Sequence, residues 1–183
     1  MLANSKPMYL LLFSALLLFV CGKPEPLAPQ APVGIAELFD STSFSGWIPD
    51  TSHFVAYGAQ GFFNKADGGA QIYLDDGLIS ATERNLESPD SSKFCTVTIM
   101  DFGTSIKASK IFKDKVSKNM AQTAISSFDT SQAVALAEYL GNILAYAHFD
   151  KFYFEILLTG FTDSAVSIGD AAFMLTKYKS MIP

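Results

Sequence analysis

The 183-residue chain is poor in the residue types from which most catalytic and metal sites are built. It contains two histidines, two cysteines and one tryptophan. Neither His53 nor His148 has a second histidine or a cysteine at metal-ligand spacing. The sequence also lacks G-x-S-x-G, H-E-x-x-H, a phosphate-binding glycine loop and a calcium-binding loop. We therefore expect no catalytic set, no metal and no cofactor.

An excess of positive charge is also lacking, since the formal net charge is −5. This balance argues against nucleic acid as a partner, which would require a net basic face or domain. Five lysines nevertheless fall within twelve residues: Lys107, Lys110, Lys113, Lys115 and Lys118. On a helical projection all of them except Lys113, which is on the rim, lie opposite an apolar face formed by Ala108, Phe112, Val116 and Met120. The pattern is typical of an amphipathic surface helix, and the alternative is a basic strip that lies against anionic lipid.

The uncharged segment at the start of the chain is too short to cross a membrane. Met8 to Val20 spans thirteen residues, whereas a spanning helix needs about twenty. Its length, and Lys6 before it, are typical of a secretory signal peptide. We predict a signal peptide at residues 1–20.

The residues that end this segment, Leu18 to Cys21, resemble a bacterial lipobox. The resemblance implies that Cys21 is the lipid attachment site of a lipoprotein anchored to a membrane of the cell envelope. Val20 departs from the pattern, which normally has a small residue before the cysteine. Two alternatives stay open: an uncleaved anchor helix, and cleavage by the general signal peptidase, which this site fits poorly.

A proline-rich segment follows and separates the anchor from the rest of the chain. Residues 23–32 hold four of the eight prolines, so they cannot form a helix or a central strand. We predict an extended tether at residues 21–33 and a single domain at residues 34–183. If Cys21 is acylated, Cys95 has no disulfide partner within the chain and is expected to be a small buried apolar residue.

Periodicity across residues 34–183 predicts an α+β domain with a single antiparallel sheet flanked by helices. We predict helices at 35–40, 105–118 and 163–178, and strands at 78–86, 94–102, 123–128, 133–139, 143–148 and 152–158. The run 133–137 (AVALA) would also suit a helix, so that alternative stays open. An edge segment at 44–49 carries Trp47 as a core residue. Short turns between successive strands favour antiparallel pairing.

The most distinctive internal stretch runs from Tyr57 to Gly77, where we expect two short helical pieces joined at Gly68 and Gly69. Residues 64–77 (NKADGGAQIYLDDG) resemble the glycine-centred signature of an uncharacterised family of exported bacterial domains. The resemblance implies a fold like that of the photosystem protein PsbP and Mog1, with no established activity. Gln71, Asp76 and Leu78 depart from the family pattern, which places any role of its glutamate in doubt here.

Three hypotheses for function follow. The leading one is a non-catalytic envelope domain that binds a partner protein or a small ligand. Its predicted site is Phe62, Phe63, Asn64, Asp67, Gly68, Gly69, Tyr73 and Asp76. The second is an envelope hydrolase that uses Cys95 with His148 and Asp150, or the adjacent Asp75 and Asp76. The third is a structural role at the membrane surface through the lysine strip.

Overall fold

A computed structural model describes residues 34, 35, 39, 43–65, 70–118, 121–137 and 141–183, with the backbone alone for 51–56 and 137. All of these residues belong to one compact unit, Val33–Pro183. The predicted signal peptide, Cys21, the tether and Asp67, Gly68 and Gly69 lie outside the described residues, as does most of the predicted opening helix. Within the described part of the chain, no helix has both the length and the apolar character needed to span a bilayer.

In the described part of the chain, seven strands form one antiparallel sheet, which confirms the predicted α+β class. They are β1 (Ile48–Gly58), β2 (Ser80–Glu87), β3 (Phe94–Asp101), β4 (Thr123–Ala124), β5 (Ala133–Ala137), β6 (Ile143–Phe149) and β7 (Phe152–Thr159). Their spatial order is β1-β2-β3-β7-β6-β5-β4, so that β7 returns to the centre of the sheet beside β3. The helices of the described residues are α1 (Ala59–Lys65), α2 (Gln71–Asp75), α3 (Ser105–Ser117) and α4 (Ser164–Lys179).

Local sequence signals account for the ends of the two long helices. The side chain of Thr104 caps α3 by accepting from the backbone N–H of Lys107, and Asp163 caps α4 by accepting from that of Ala165. Both helices agree with the prediction to within about two residues. The turn between β6 and β7 consists of Asp150 and Lys151, which follow the predicted strand 143–148 and precede the predicted strand 152–158; Asp150 has a φ of 49°.

Two strand predictions were wrong. β1 was not predicted beyond Pro49, although it is the longest strand; it pairs with β2 across an irregularity between Pro49 and Phe54. The predicted strand 123–128 stops after two residues, because Ser127 adopts a φ of 74° and the N–H of Phe128 bonds back to the carbonyl of Ile125. This turn takes the chain out of the sheet.

The sheet has two unequal faces. Helix α4 covers one face, where Phe39, Phe154 and Tyr178 pack edge-on or tilted against one another with ring centroids 5.5–5.9 Å apart. Trp47 is buried in this core, as predicted. Helices α1, α2 and α3 pack on the other face through a second cluster that includes Met100. Further along the strands of that second face, the side chains are polar or partly exposed.

Candidate ligand-binding site on the open sheet face

The uncovered part of the second face begins where α2 and α3 end their contact with the sheet. Residues of alternate parity share a face of a strand, so Thr96 and Thr98 lie on the same face of β3 as the buried Met100. Glu155 and Leu157 continue the face of Tyr153 on β7. Thr96 and Leu157 are half-buried, in contrast to the fully packed α4 side. This strip is defined here as the open face.

Glu155 is the centre of a polar network at the edge of the open face. Its Oε1 accepts a hydrogen bond from the hydroxyl of Tyr73 at 2.6 Å and another from the hydroxyl of Tyr153 at 3.0 Å. The Nζ of Lys115 lies 3.4 Å from the same oxygen and 4.6 Å from the centroid of the Tyr73 ring. A carboxylate, two hydroxyls and an ammonium group therefore converge on one point.

The network is buried on its tyrosine side and reaches solvent on its charged side. Tyr73 is 5% exposed and Tyr153 is fully buried, whereas the side chains of Glu155 and Lys115 are 20% and 24% exposed. Burial, followed by the charge of Glu155, raises the pKa of both tyrosines well above the ordinary value. Both hydroxyls consequently stay protonated and act as hydrogen-bond donors to the carboxylate.

Three distant parts of the sequence supply these groups. Tyr73 comes from the five-residue helix α2, which ends where Gly77 takes a φ of 84° and its N–H bonds to the carbonyl of Leu74. Lys115 comes from α3, and Tyr153 and Glu155 come from the central strand β7. The crossover that places β7 in the centre of the sheet is therefore what assembles the network.

A cavity of about 310 Å³ opens beside the Glu155 carboxylate. It is lined by Thr96, Thr98, Leu144, Glu155 and Leu157. A second cavity of about 180 Å³ shares Thr96 and continues toward the exposed ring of Phe94 and toward Asp50. The first cavity thus combines a charged acceptor and two hydroxyls with two leucine walls, the usual mixture in small-ligand sites.

The predicted site residues lie beside this network rather than around the cavity. Phe62 is buried with its ring centroid 5.9 Å from that of Tyr73, and Phe63 is half-buried. Asn64 is exposed and accepts from the side chain of Gln60, and Asp76 forms an ion pair with Lys110 at 2.6 Å. Tyr73 is the predicted residue that enters the network. The remaining members, Asp67, Gly68 and Gly69, lie outside the described residues, so the predicted set as a whole stays a prediction.

Sequence reasoning missed Glu155, Lys115 and the two threonines. A usable signal existed, because Glu155 interrupts a strand that is otherwise almost entirely apolar (FYFEILLT) and threonine alternates with apolar residues in β3 (FCTVTIMD). The helical projection of α3 was wrong for Lys115, which was assigned to the solvent face. Residue 115 is one turn beyond the buried Ile111 and Phe112, so its stem follows that face and its ammonium group reaches Glu155.

The hypothetical nucleophile set of Cys95, His148 and Asp150 is not assembled. Cys95 is 1% exposed on the α4 face, where its Sγ lies 3.6 Å from the Sδ of Met174, and burial raises the pKa of its thiol. His148 lies on the opposite face, with its ring centroid 5.0 Å from that of Phe112. The expected burial of Cys95 is confirmed, and the sheet itself separates it from the histidine.

The adjacent acidic residues do not converge either. Asp75 accepts a hydrogen bond from the Nε2 of Gln71 at 2.7 Å, while Asp76 binds the Nζ of Lys110. Asp75 is therefore paired with Gln71, the first residue of α2, and Asp76 with Lys110 on α3. Across the described ranges, no group of three or more histidine, cysteine, aspartate or glutamate side chains could hold a metal ion.

Comparisons with known proteins do not identify a family for this chain. No family model matches the chain, and no curated protein matches it. A solved structure that is similar to it is the extracellular domain of PknH from Mycobacterium tuberculosis. The two share 11% sequence identity with a TM-score of 0.47, over 78% of this chain and 89% of that domain. We draw no function from that similarity, and the resemblance to the exported PsbP- and Mog1-like family stays a prediction.

Proposed function

We propose that this protein is an exported, lipid-anchored component of a bacterial cell envelope whose domain at 34–183 is a non-catalytic binding module. The proposal for export rests on the signal-like segment, on Cys21 and on the proline-rich tether that follows. Such a tether holds a domain away from the headgroups while acyl chains retain it at the bilayer. The proposal for binding rests on the open face.

The observation that carries the binding function is the Glu155 carboxylate at the wall of a cavity. Lys115, 3.4 Å from its Oε1, offsets part of its charge. The carboxylate and the hydroxyls of Thr96 and Thr98 still accept hydrogen bonds, which favours a ligand with a cationic or hydrogen-bond-donating end. Leu144 and Leu157 favour a short apolar segment behind it. A primary amine on an alkyl chain meets both requirements, whether it is a small molecule or a lysine side chain of a partner protein.

The protonation states favour binding over catalysis. The two tyrosines beside Glu155 hold their protons far above neutral pH, which makes them poor proton donors in a reaction. Their hydroxyls instead orient the carboxylate. A carboxylate that accepts from two buried donors is fixed in place, as expected of a recognition group rather than of a base that must move a proton.

The binding proposal can be tested with n-butylammonium chloride as the probe. Amide resonances of the full-length chain in a non-ionic detergent are followed by NMR during titration. We expect saturable shifts at Thr96, Thr98 and Glu155 with butylammonium, and none with butyrate, which the carboxylate repels. Absence of local shifts with butylammonium, or equal shifts with butyrate, would overturn the proposed ligand chemistry.

A cavity-filling variant supplies the control for position. Leu157→Trp places a large side chain in the cavity without removing any group of the Glu155 network, so it should abolish the shifts. Val166→Trp adds the same side chain at an exposed site on α4, on the opposite side of the sheet, and should leave them unchanged. If Leu157→Trp binds butylammonium as the unmodified protein does, the cavity is not the site.

The anchor is tested separately by intact-mass spectrometry of the protein purified from its own membranes. We expect a mature chain that begins at Cys21 and carries acyl groups, and no such species for Cys21→Ser. An unmodified chain that still begins near Met1 would exclude lipid attachment and leave the helical-anchor alternative.

A further inference from the structure

A separate cavity of about 670 Å³ lies along α3, away from the Glu155 site. It is lined by His148 of β6 and by six residues of α3: Ser105, Ile106, Ser109, Lys110, Lys113 and Asp114. An adjoining cavity of about 280 Å³ shares Ser105 and His148 with it. His148 therefore lies where the two spaces meet, and together they are called the α3 groove here.

The two lysines of α3 that line the groove differ in their carboxylate partners. Lys110 bridges two carboxylates, since its Nζ lies 2.6 Å from Asp76 and 2.8 Å from Asp114. Lys113 is exposed, and no carboxylate of the described residues lies within 4.0 Å of its Nζ. Burial lowers the pKa of the His148 imidazole, the hydrogen bond to Ser131 opposes this effect, and the positive charge of Lys113 lowers the pKa further. Two groups that can both be cationic thus face one cavity.

The hydrogen bond of His148 identifies the nitrogen that titrates. Its Nε2 lies 2.9 Å from the backbone carbonyl oxygen of Ser131. A carbonyl only accepts, so Nε2 carries a hydrogen in either charge state and Nδ1 gains or loses the proton. The other charged groups that line the groove around the ring are Lys110 and Asp114 from α3, Asp150 from the β6–β7 turn and Lys179 from α4. Lysines outnumber carboxylates among the lining residues even while the imidazole is neutral.

We propose that the α3 groove binds an anion of the phosphate type, held between Lys113 and protonated His148 with Ser105 and Ser109 as hydroxyl donors. An ammonium group and serine hydroxyls are common partners of phosphate oxygens. The bound anion offsets the repulsion between Lys113 and the imidazolium, so that binding and protonation of His148 favour each other. Affinity therefore rises as the pH falls through the range in which His148 titrates.

Sulfate is the first probe, because its charge stays at −2 while His148 titrates. The ring resonances of His148 are followed by NMR against pH, in the full-length chain in a non-ionic detergent, with and without sulfate. We expect sulfate to move the titration midpoint of His148 upward and to leave that of His53 unchanged. Equal movement of both histidines, or of neither, would overturn the proposal. His148→Gln assigns the resonance, and through-bond spectra assign it if that variant fails to fold.

Matched lysine variants separate a specific site from general charge. Lys113→Gln should weaken sulfate binding by about fivefold, as expected for an exposed ionic contact. Lys118→Gln removes the same charge from the exposed end of α3, outside the lining of the groove, and should bind sulfate as the unmodified protein does. Equal weakening by the two substitutions would show only a diffuse electrostatic effect and would contradict the proposed site.

Two further arms identify the source of the anion. Glycerol 3-phosphate supplies a soluble phosphate ester, and nanodiscs that contain phosphatidylglycerol supply an anionic headgroup, with phosphatidylcholine nanodiscs as the reference. A shift of His148 with the soluble ester supports a free ligand, and a shift only in phosphatidylglycerol nanodiscs supports a lipid headgroup. If neither ligand moves the His148 midpoint, the groove is not a phosphate site, whatever the outcome at Glu155.

Discussion

The hydrogen bond between Tyr73 and Glu155 makes a quantitative prediction about folding. It joins the short helix α2 to the central strand β7 across 82 positions of sequence, with an O···O distance of 2.6 Å. A hydrogen bond to a charged group contributes about 1.5–3 kcal/mol to stability. Because Glu155 is 20% exposed, the lower part of this range applies. We therefore expect Tyr73→Phe to reduce the free energy of unfolding by about 1.5–2 kcal/mol.

Removal of the acceptor should cost more than removal of one donor. Glu155→Leu leaves two buried hydroxyls, those of Tyr73 and Tyr153, without the oxygen to which they donate. Each such group costs about 1–3 kcal/mol, so the single substitution should destabilise the protein by about 2–6 kcal/mol. In the double variant with Tyr73→Phe, one of the two hydroxyls is gone. The double variant should therefore be more stable than the sum of the single effects predicts, by about 1 kcal/mol or more.

Urea unfolding followed by tryptophan fluorescence is a suitable assay, because the chain contains one tryptophan and Trp47 is buried in the core. Tyr57→Phe is the control, since no hydrogen bond of its hydroxyl to another described residue is found, and it should change the stability by less than about 0.5 kcal/mol. Strict additivity of Tyr73→Phe and Glu155→Leu, to within about 0.5 kcal/mol, would refute the reasoning. So would a Tyr73→Phe variant as stable as the unmodified protein.

Three further predictions test the core, the turns and the pH dependence. In the Cys21→Ser variant, Cys95 should resist maleimide until urea unfolds the chain, because burial covers the thiol and raises its pKa. Stoichiometric labelling of the native protein would contradict the buried position of Cys95. Gly160→Ala should destabilise by about 1–3 kcal/mol or more, since φ is 86° and a Cβ would overlap the carbonyl oxygen of Ser92. Gly169→Ala, in open space on α4, should instead stabilise by about 0.5–1 kcal/mol in the same urea assay. Burial lowers the pKa of His148 from its usual 6.5. The neutral form of His148 therefore contributes its full stability above pH 6.5, and this contribution is lost as the pH falls below that value. His148→Gln should reduce the decrease of the urea midpoint at acidic pH.

The parts of the fold that could be predicted are those in which local signals agree with tertiary packing. Asp163 at the start of α4 predicts where the helix that is found begins, and Asp150-Lys151 predicts the final hairpin. Most of strand β1 was not predicted, because the predicted edge segment ended at Pro49 and residues 50–56 were assigned to no element. Its pairing with β2 is a tertiary interaction, which a short stretch of sequence does not specify.

The candidate site was harder to predict for a similar reason. Tyr73 could be singled out from its local stretch, but its partner Glu155 lies 82 residues later in an otherwise apolar strand. Only the position of β7 beside β3 brings Glu155 next to Thr98. The chemistry of the open face therefore depends on strand order, which periodicity alone does not specify.

The structure also changes how the lysine strip on α3 is interpreted. As one basic face, five lysines would favour a flat anionic surface such as a bilayer. In the folded domain, Lys115 turns toward Glu155 and Lys110 bridges Asp76 and Asp114, so two of the five charges are offset by carboxylates. Lys113 lines the α3 groove instead. The lysines are therefore divided among different environments. Their placement favours localised binding of an anion in the α3 groove over adsorption of the whole helix onto a membrane.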